Sequence, residues 1–147
     1  MIRFRTRLLG FSNGSSDRNP KISRTVSEPG PITRFLFSGK FFARAANRAK
    51  RHAFSLFDGK LSVFCIDQLT EAVIWRIGRN YAGAARGEAA RARADLQVSD
   101  VRMCQLEVVA APTNHPRHAN IVGWPDEKER VRLLAMESAS RSSLRLP

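Results

Sequence analysis

The alternation of apolar and polar side chains changes period twice along the middle of the chain, and each change predicts an element. Residues 52–57 and 60–67 are β-prone runs separated by Asp58-Gly59, a dipeptide that accepts the positive φ values of a two-residue type I′ turn. Pairing across that turn sets Leu56 against Leu61, Phe54 against Val63 and His52 against Cys65, so one face collects the apolar residues. The other face carries Ser55, Ser62 and Lys60, with Phe57 and Phe64 as exceptions. A half-buried hairpin requires that division, and it makes His52 a partly buried, core-side residue.

From residue 70 the period becomes helical. Val73, Ile74, Ile77 and Tyr81 recur on one face while Glu71, Arg76 and Arg79 fall elsewhere, which predicts a helix over 70–81 with Thr70 as its N-cap. Gly83 and Gly87 then open a linker. Residues 94–98 read as a short strand, Ser99 and Asp100 start a helix over 101–105, and 106–111 read as another strand. Pro125 takes the first position of a last helix reaching about residue 138, with Asp126 and Glu127 complementing the positive helix end. The remainder, 141–147, is expected to fray.

Residues 10–32 are dense in Gly, Ser, Asn and Pro and poor in apolar side chains, so they cannot bury enough surface to offset their ordering entropy. The expected organisation is a flexible basic tail over 1–31, one α+β domain over 32–140, and the frayed end. That domain would hold a short antiparallel sheet, built from the hairpin and one or two further strands and packed by two to three helices. A length of 147 residues suits one domain with a true core.

Charge changes the picture. Residues 1–52 hold 12 Lys and Arg against two acids, Asp17 and Glu28, whereas 53–147 hold 13 against 11. A regional excess of one sign attracts polyanions, nucleic acid first among them and anionic membrane next; the alternative is a solvated surface with no dedicated partner. Within 34–51 there are six basic residues, no acid, and Phe35, Phe37, Phe41 and Phe42 interleaved. If 40–51 is helical, Lys40, Arg44, Arg48 and Arg51 line one face and Phe42, Ala45, Ala46 and Ala49 another. Such a stripe can follow a phosphate backbone, and exposed aromatics can stack on bases. The competing reading buries the phenylalanines and leaves the cations solvated around them.

The second dense stretch is TNHPRHANIVGWP, residues 113–125, read as a loop between strand and helix. It gathers His115, Arg117, His118 and Asn120, and His118 with Arg117 are the candidates for catalysis: an imidazole works as a general base near neutral pH and a guanidinium clamps phosphate or carboxylate. A structural loop whose polar side chains satisfy backbone groups is the alternative. HPRH does not have the helical spacing of zinc proteases, and no further His or Cys pair completes a ligand set, so neither metal nor cofactor is expected. Phosphate-loop, dinucleotide-binding and serine-hydrolase motifs have no match, which leans the reading away from an enzyme.

Cys65 and Cys104 lie among apolar neighbours in no metal-type spacing, and two buried free thiols are expected. The start MIRFRTRLLGF is too short in apolar residues for a secretory signal, and no stretch approaches the ~20 needed to span a bilayer, which points to the cytoplasm. Arg and Ser in the first 25 residues weakly resemble an organellar transit peptide, a reading relevant only to a eukaryotic source. From about residue 35 to 134 the chain resembles a family of short, uncharacterised bacterial proteins, on LTEAVIW, ARADLQVSDV and above all PRHANIVGWP. The resemblance implies a bacterial cytoplasmic setting and carries over no catalytic residue. The N-terminal extension departs from the family pattern, which points to an artefact of start-site choice for the first 30 residues. The expected function is a binding module with affinity for nucleic acid or another polyanion. A small enzyme or ligand-binding protein using the 115–118 loop is the alternative, and a component of a mobile-element or host-conflict system is compatible in size only.

Overall fold

A computed structural model describes residues 30–147. The expected tail falls outside them apart from Gly30 and Pro31, and Pro31 already belongs to the first strand. Eight strands and three α-helices follow: β1 (Pro31–Leu36), β2 (Phe42–Ala43), β3 (Arg48–Ala49), β4 (Leu61–Cys65), α1 (Glu71–Ile77), β5 (Ala92–Gln97), α2 (Val98–Met103), β6 (Glu107–Ala110), β7 (His118–Val122), α3 (Lys128–Arg141) and β8 (Ser143–Arg145). Six strands form one antiparallel sheet in the order β6-β7-β4-β1-β5-β8, and β2 with β3 form a separate ribbon. The α+β class therefore holds, with a sheet larger than expected.

Each face of the sheet carries its own core, because alternate residues of a strand point to opposite sides. On one side Ile32, Leu36, Leu61, Val63, Ala94, Leu96, Val108, Ala119 and Ile121 pack with Val98 and Val101 of α2, Ala135 and Ala139 of α3, and Phe54. On the other, Phe35, Phe37, Phe64 and Ile66 pack with Ile74 and Ile77 of α1. The Thr70 hydroxyl accepts from the Val73 amide, as its N-cap role requires. After Ile77 the helix widens into a π-turn, Gly78–Ala82, and Gly78 lies so close to the sheet that an added Cβ would sit 2.6 Å from Phe35 Cε1. Only glycine permits that approach.

Four expectations need correction. Asp58 and Gly59 do adopt positive φ (55° and 73°), but the hairpin stops at the single bridge between Phe57 and Lys60. Arg51–Phe54 coils into a 3₁₀ turn that carries Phe54 into the core under α3 and leaves His52 exposed, and β4 takes β1 and β7 as its neighbours instead. Residues 40–51 are not a helix: a turn over 44–47, closed by the Asn47 amide on the Arg44 carbonyl with Asn47 at φ 53°, joins β2 to β3 and buries Phe42 against Ala49. The 113–125 stretch is not a loop throughout, since 118–122 form an interior strand. The tail is not frayed either; α3 starts at Lys128 and runs to Arg141, and β8 adds to the sheet edge with Leu144 buried.

Among the described residues no helix is long and apolar enough to cross a membrane. Both cysteines are free, Cys104 buried and Cys65 partly so, and burial pushes the Cys65 thiol up to about 11 despite nearby Arg117.

Candidate functional site

Strands β1 and β4 stay paired only at Ile32 with Cys65 and Thr33 with Phe64, then part. Into that fork Arg34 sends its guanidinium, donating from Nε to the Ala53 carbonyl (3.1 Å) and from Nη1 to the Ser62 carbonyl (3.0 Å). One acceptor left over where β4 parts from β1 and one in the 3₁₀ turn Arg51–Phe54 are thereby satisfied. The arrangement spends a charged group on neutral partners. No carboxylate pairs with Arg34 among the described residues, and burial, reinforced by Arg86, lowers its pKa to about 10.

Arg34 lines a partly open cavity of about 240 Å³ together with Ser62, Arg86, Asn114, His115 and His118, walled by Phe35, Phe37, Phe64 and Tyr81. The lining contains no acid. The Arg86 guanidinium stands over the Phe37 ring, 4.8 Å from its centroid, a cation–π contact that holds the charge without neutralising it.

The two histidines are held in defined tautomers by the turn between them. Pro116 sits at the second position of a β-turn closed by the His118 amide on the His115 carbonyl (3.0 Å). That diverts the His118 amide from Ala111, whose carbonyl is taken by His118 Nδ1 instead, at 2.8 Å. A carbonyl only accepts, so Nδ1 carries the proton and neutral His118 keeps a lone pair on Nε2. The Ser62 hydroxyl lies 2.7 Å from that nitrogen. The β4–β7 register makes the contact: Phe64 faces His118 and Ser62 faces Asn120, so Ser62 and His118 are diagonal neighbours on one face. His115 accepts at Nδ1 from the Arg117 amide (3.0 Å) and stacks edge-on with Tyr81 and Phe64. Burial first, then Arg117 and His118, hold its pKa below the ordinary histidine value, so it is neutral at pH 7.

Of the residues singled out from sequence, His118 points into the cavity and Arg117 does not. The Arg117 side chain donates to the Asp67 carbonyl (2.9 Å) and fastens the turn to the segment after β4. Lys40, Arg44, Arg48 and Arg51 are all exposed, spread over the β2–β3 ribbon and the turns on either side of it instead of along one helix face. Arg51 lies near enough to Glu129 to help hold that carboxyl low, behind the hydrogen bond from Arg132. Ser62, Arg34 and Arg86 were missed. No local signal marks Ser62 or Arg86, since their roles arise from pairings and packing far apart in sequence, and Arg34 stands in the sequence as one member of a charge run.

A separate ionic cluster sits beside α1. Arg93, 1% exposed, donates to Glu71 (2.9 and 2.8 Å) and to Asp95 (3.0 to 3.3 Å), and stands 5.0 Å over the Trp75 ring. Thr33 donates to the same Asp95 carboxylate at 2.6 Å. Among the described residues no group of three or more His, Cys, Asp or Glu is placed to hold a metal ion. No known protein family, curated protein or solved structure matches the chain.

Proposed function

We propose that this protein is an anion-recognition module whose ligand is a phosphate group of single-stranded nucleic acid. The observation that carries the reading is Arg34, a partly buried guanidinium without a carboxylate among the described residues, lining a cavity that holds a second cation, Arg86, and whose lining contains no acid. A desolvated cation binds a phosphate more strongly than an exposed one, because the surroundings screen less. Tyr81, an exposed ring in the cavity lining, offers a surface against which a base packs. Lys40, Arg44, Arg48 and Arg51 add exposed positive charge that steers a polyanion without reading its sequence.

Titrating a fluorescent single-stranded oligonucleotide at low and at moderate salt tests this. Expected is saturable binding at low salt that weakens as salt rises, with Arg34→Met weakening it at least about tenfold, the contribution of one charge-assisted hydrogen bond. No binding at low salt overturns the reading. Equal binding by wild type and Arg34→Met places any nucleic-acid contact on the surface cations instead of the cavity.

A further inference from the structure

We propose that Ser62 is a nucleophile activated by His118, and that the cavity turns over carboxylic esters that carry a phosphate group. The second half rests on the reading of the cavity as an anion site; the first stands on geometry alone. Three groups are in line: the Ala111 carbonyl holds His118 Nδ1–H at 2.8 Å, and His118 Nε2 stands 2.7 Å from Ser62 Oγ. A carbonyl that fixes the imidazole tautomer, an imidazole with its free lone pair on a hydroxyl, and a cavity in front of that hydroxyl are the parts nucleophilic catalysis requires. Ser62 is exposed, so an incoming carbonyl carbon can reach Oγ. The serine also lies beside a cation, because Arg34 is anchored on the Ser62 carbonyl itself. That places the guanidinium, with Arg86 in the same cavity lining, to hold the phosphate of a substrate whose ester carbonyl faces Ser62 Oγ.

The step balances without any further reactant than water. As the bond from Ser62 Oγ to the ester carbon forms, the hydroxyl proton passes to His118 Nε2. The tetrahedral adduct collapses, the bond to the alcohol oxygen breaks, and Nε2 returns the proton to that oxygen. Water, deprotonated by the same nitrogen, then adds to the acyl-serine; the acid leaves and Ser62 recovers its proton. One imidazole serves both as base and as acid because in acyl transfer the leaving oxygen departs from the side on which the nucleophile's proton was taken up.

The test uses the full chain with a neutral fluorophosphonate, read by intact mass and peptide mapping. The expected result is one phosphonyl group on Ser62, with fluoride lost, and a labelling rate at least about a hundredfold lower in Ser62→Ala and His118→Ala. Turnover of p-nitrophenyl acetate should fall in the same two variants. Thermal unfolding of Ser62→Ala should match wild type, since the residue is exposed on its strand. No label on wild type, or label on another residue, overturns the nucleophile. The anion half is read separately: inorganic phosphate or the oligonucleotide should slow labelling. Labelling that neither slows keeps the nucleophile and removes the phosphate-bearing substrate; oligonucleotide binding without labelling does the reverse.

Discussion

Two arginines of neighbouring strands, Arg34 on β1 and Arg93 on β5, are both withdrawn from solvent and have opposite surroundings. Arg93 has every direction filled: Glu71 and Asp95 on its guanidinium edge and Trp75 on its face. Burial by itself would lower its pKa, but the hydrogen bonds with Glu71 and Asp95 outweigh burial and hold the pKa above the ordinary arginine value. Arg34 meets two carbonyls and a fellow cation, and its pKa falls. The contrast separates structure from recognition. A guanidinium with its carboxylates built in clamps α1 to the sheet and has nothing left to offer, whereas one without them keeps its charge for a ligand.

The comparison breaks or sharpens under four measurements. The largest effect should come from Arg93→Met, which leaves Asp95 with its charge poorly paired; urea denaturation should show a loss of about 3 kcal/mol or more. Arg34→Met removes an unneutralised charge along with two hydrogen bonds, and these oppose each other, so its stability should stay within about 1 kcal/mol of wild type while oligonucleotide affinity drops at least about tenfold. Equal stability losses in the two variants would erase the distinction. Glu71→Gln should cost only about 1 kcal/mol or less in the same denaturation experiment, because the Glu71 side chain is 64% exposed and its ion pair is screened. The smallest effect is a pH dependence. Arg34, with a folded pKa of about 10, is charged at neutral pH and loses its proton as pH rises through 10, whereas Arg93 keeps its own. Oligonucleotide affinity, followed by fluorescence anisotropy, should therefore fall above pH 10 in wild type and fall less in Arg34→Met. Stability moves the other way: between pH 10 and the ordinary arginine range the unfolded chain binds the proton that the folded chain lacks, so this residue's contribution to stability rises with pH.

What was legible in the sequence was local. Thr70 caps α1, Asp58 and Gly59 turn as their chemistry demands, Asp100 accepts from the Gln97 amide at the start of α2, and β5 and β6 lie within a residue or two of their expected positions, because each signal is contained in a few neighbouring residues. Phe54 shows where local reading ends. Its alternation with Leu56 suits a strand, yet the core beneath α3 has a place for it only if the backbone coils. In 113–125 the turn-forming Pro, His and Asn compete with a short alternation, Ala119 and Ile121 inward and His118 and Asn120 toward the other face, and it is the alternation that marks β7. As for the site, His118 stood out by residue type. Its partners did not, since Ser62 is 56 residues away and the two meet only because β4 and β7 pair in one particular register.

The fork between β1 and β4 also has a mechanical meaning. For most of its width the sheet is held by backbone ladders, but along this seam an arginine side chain takes over the bonding. A side chain can swing away far more readily than a ladder can be unzipped, so the seam is where local opening should be cheapest. A ligand drawing Arg34 toward itself would loosen the Ser62 carbonyl in the same movement, and amide exchange along β1 and β4 would register its arrival.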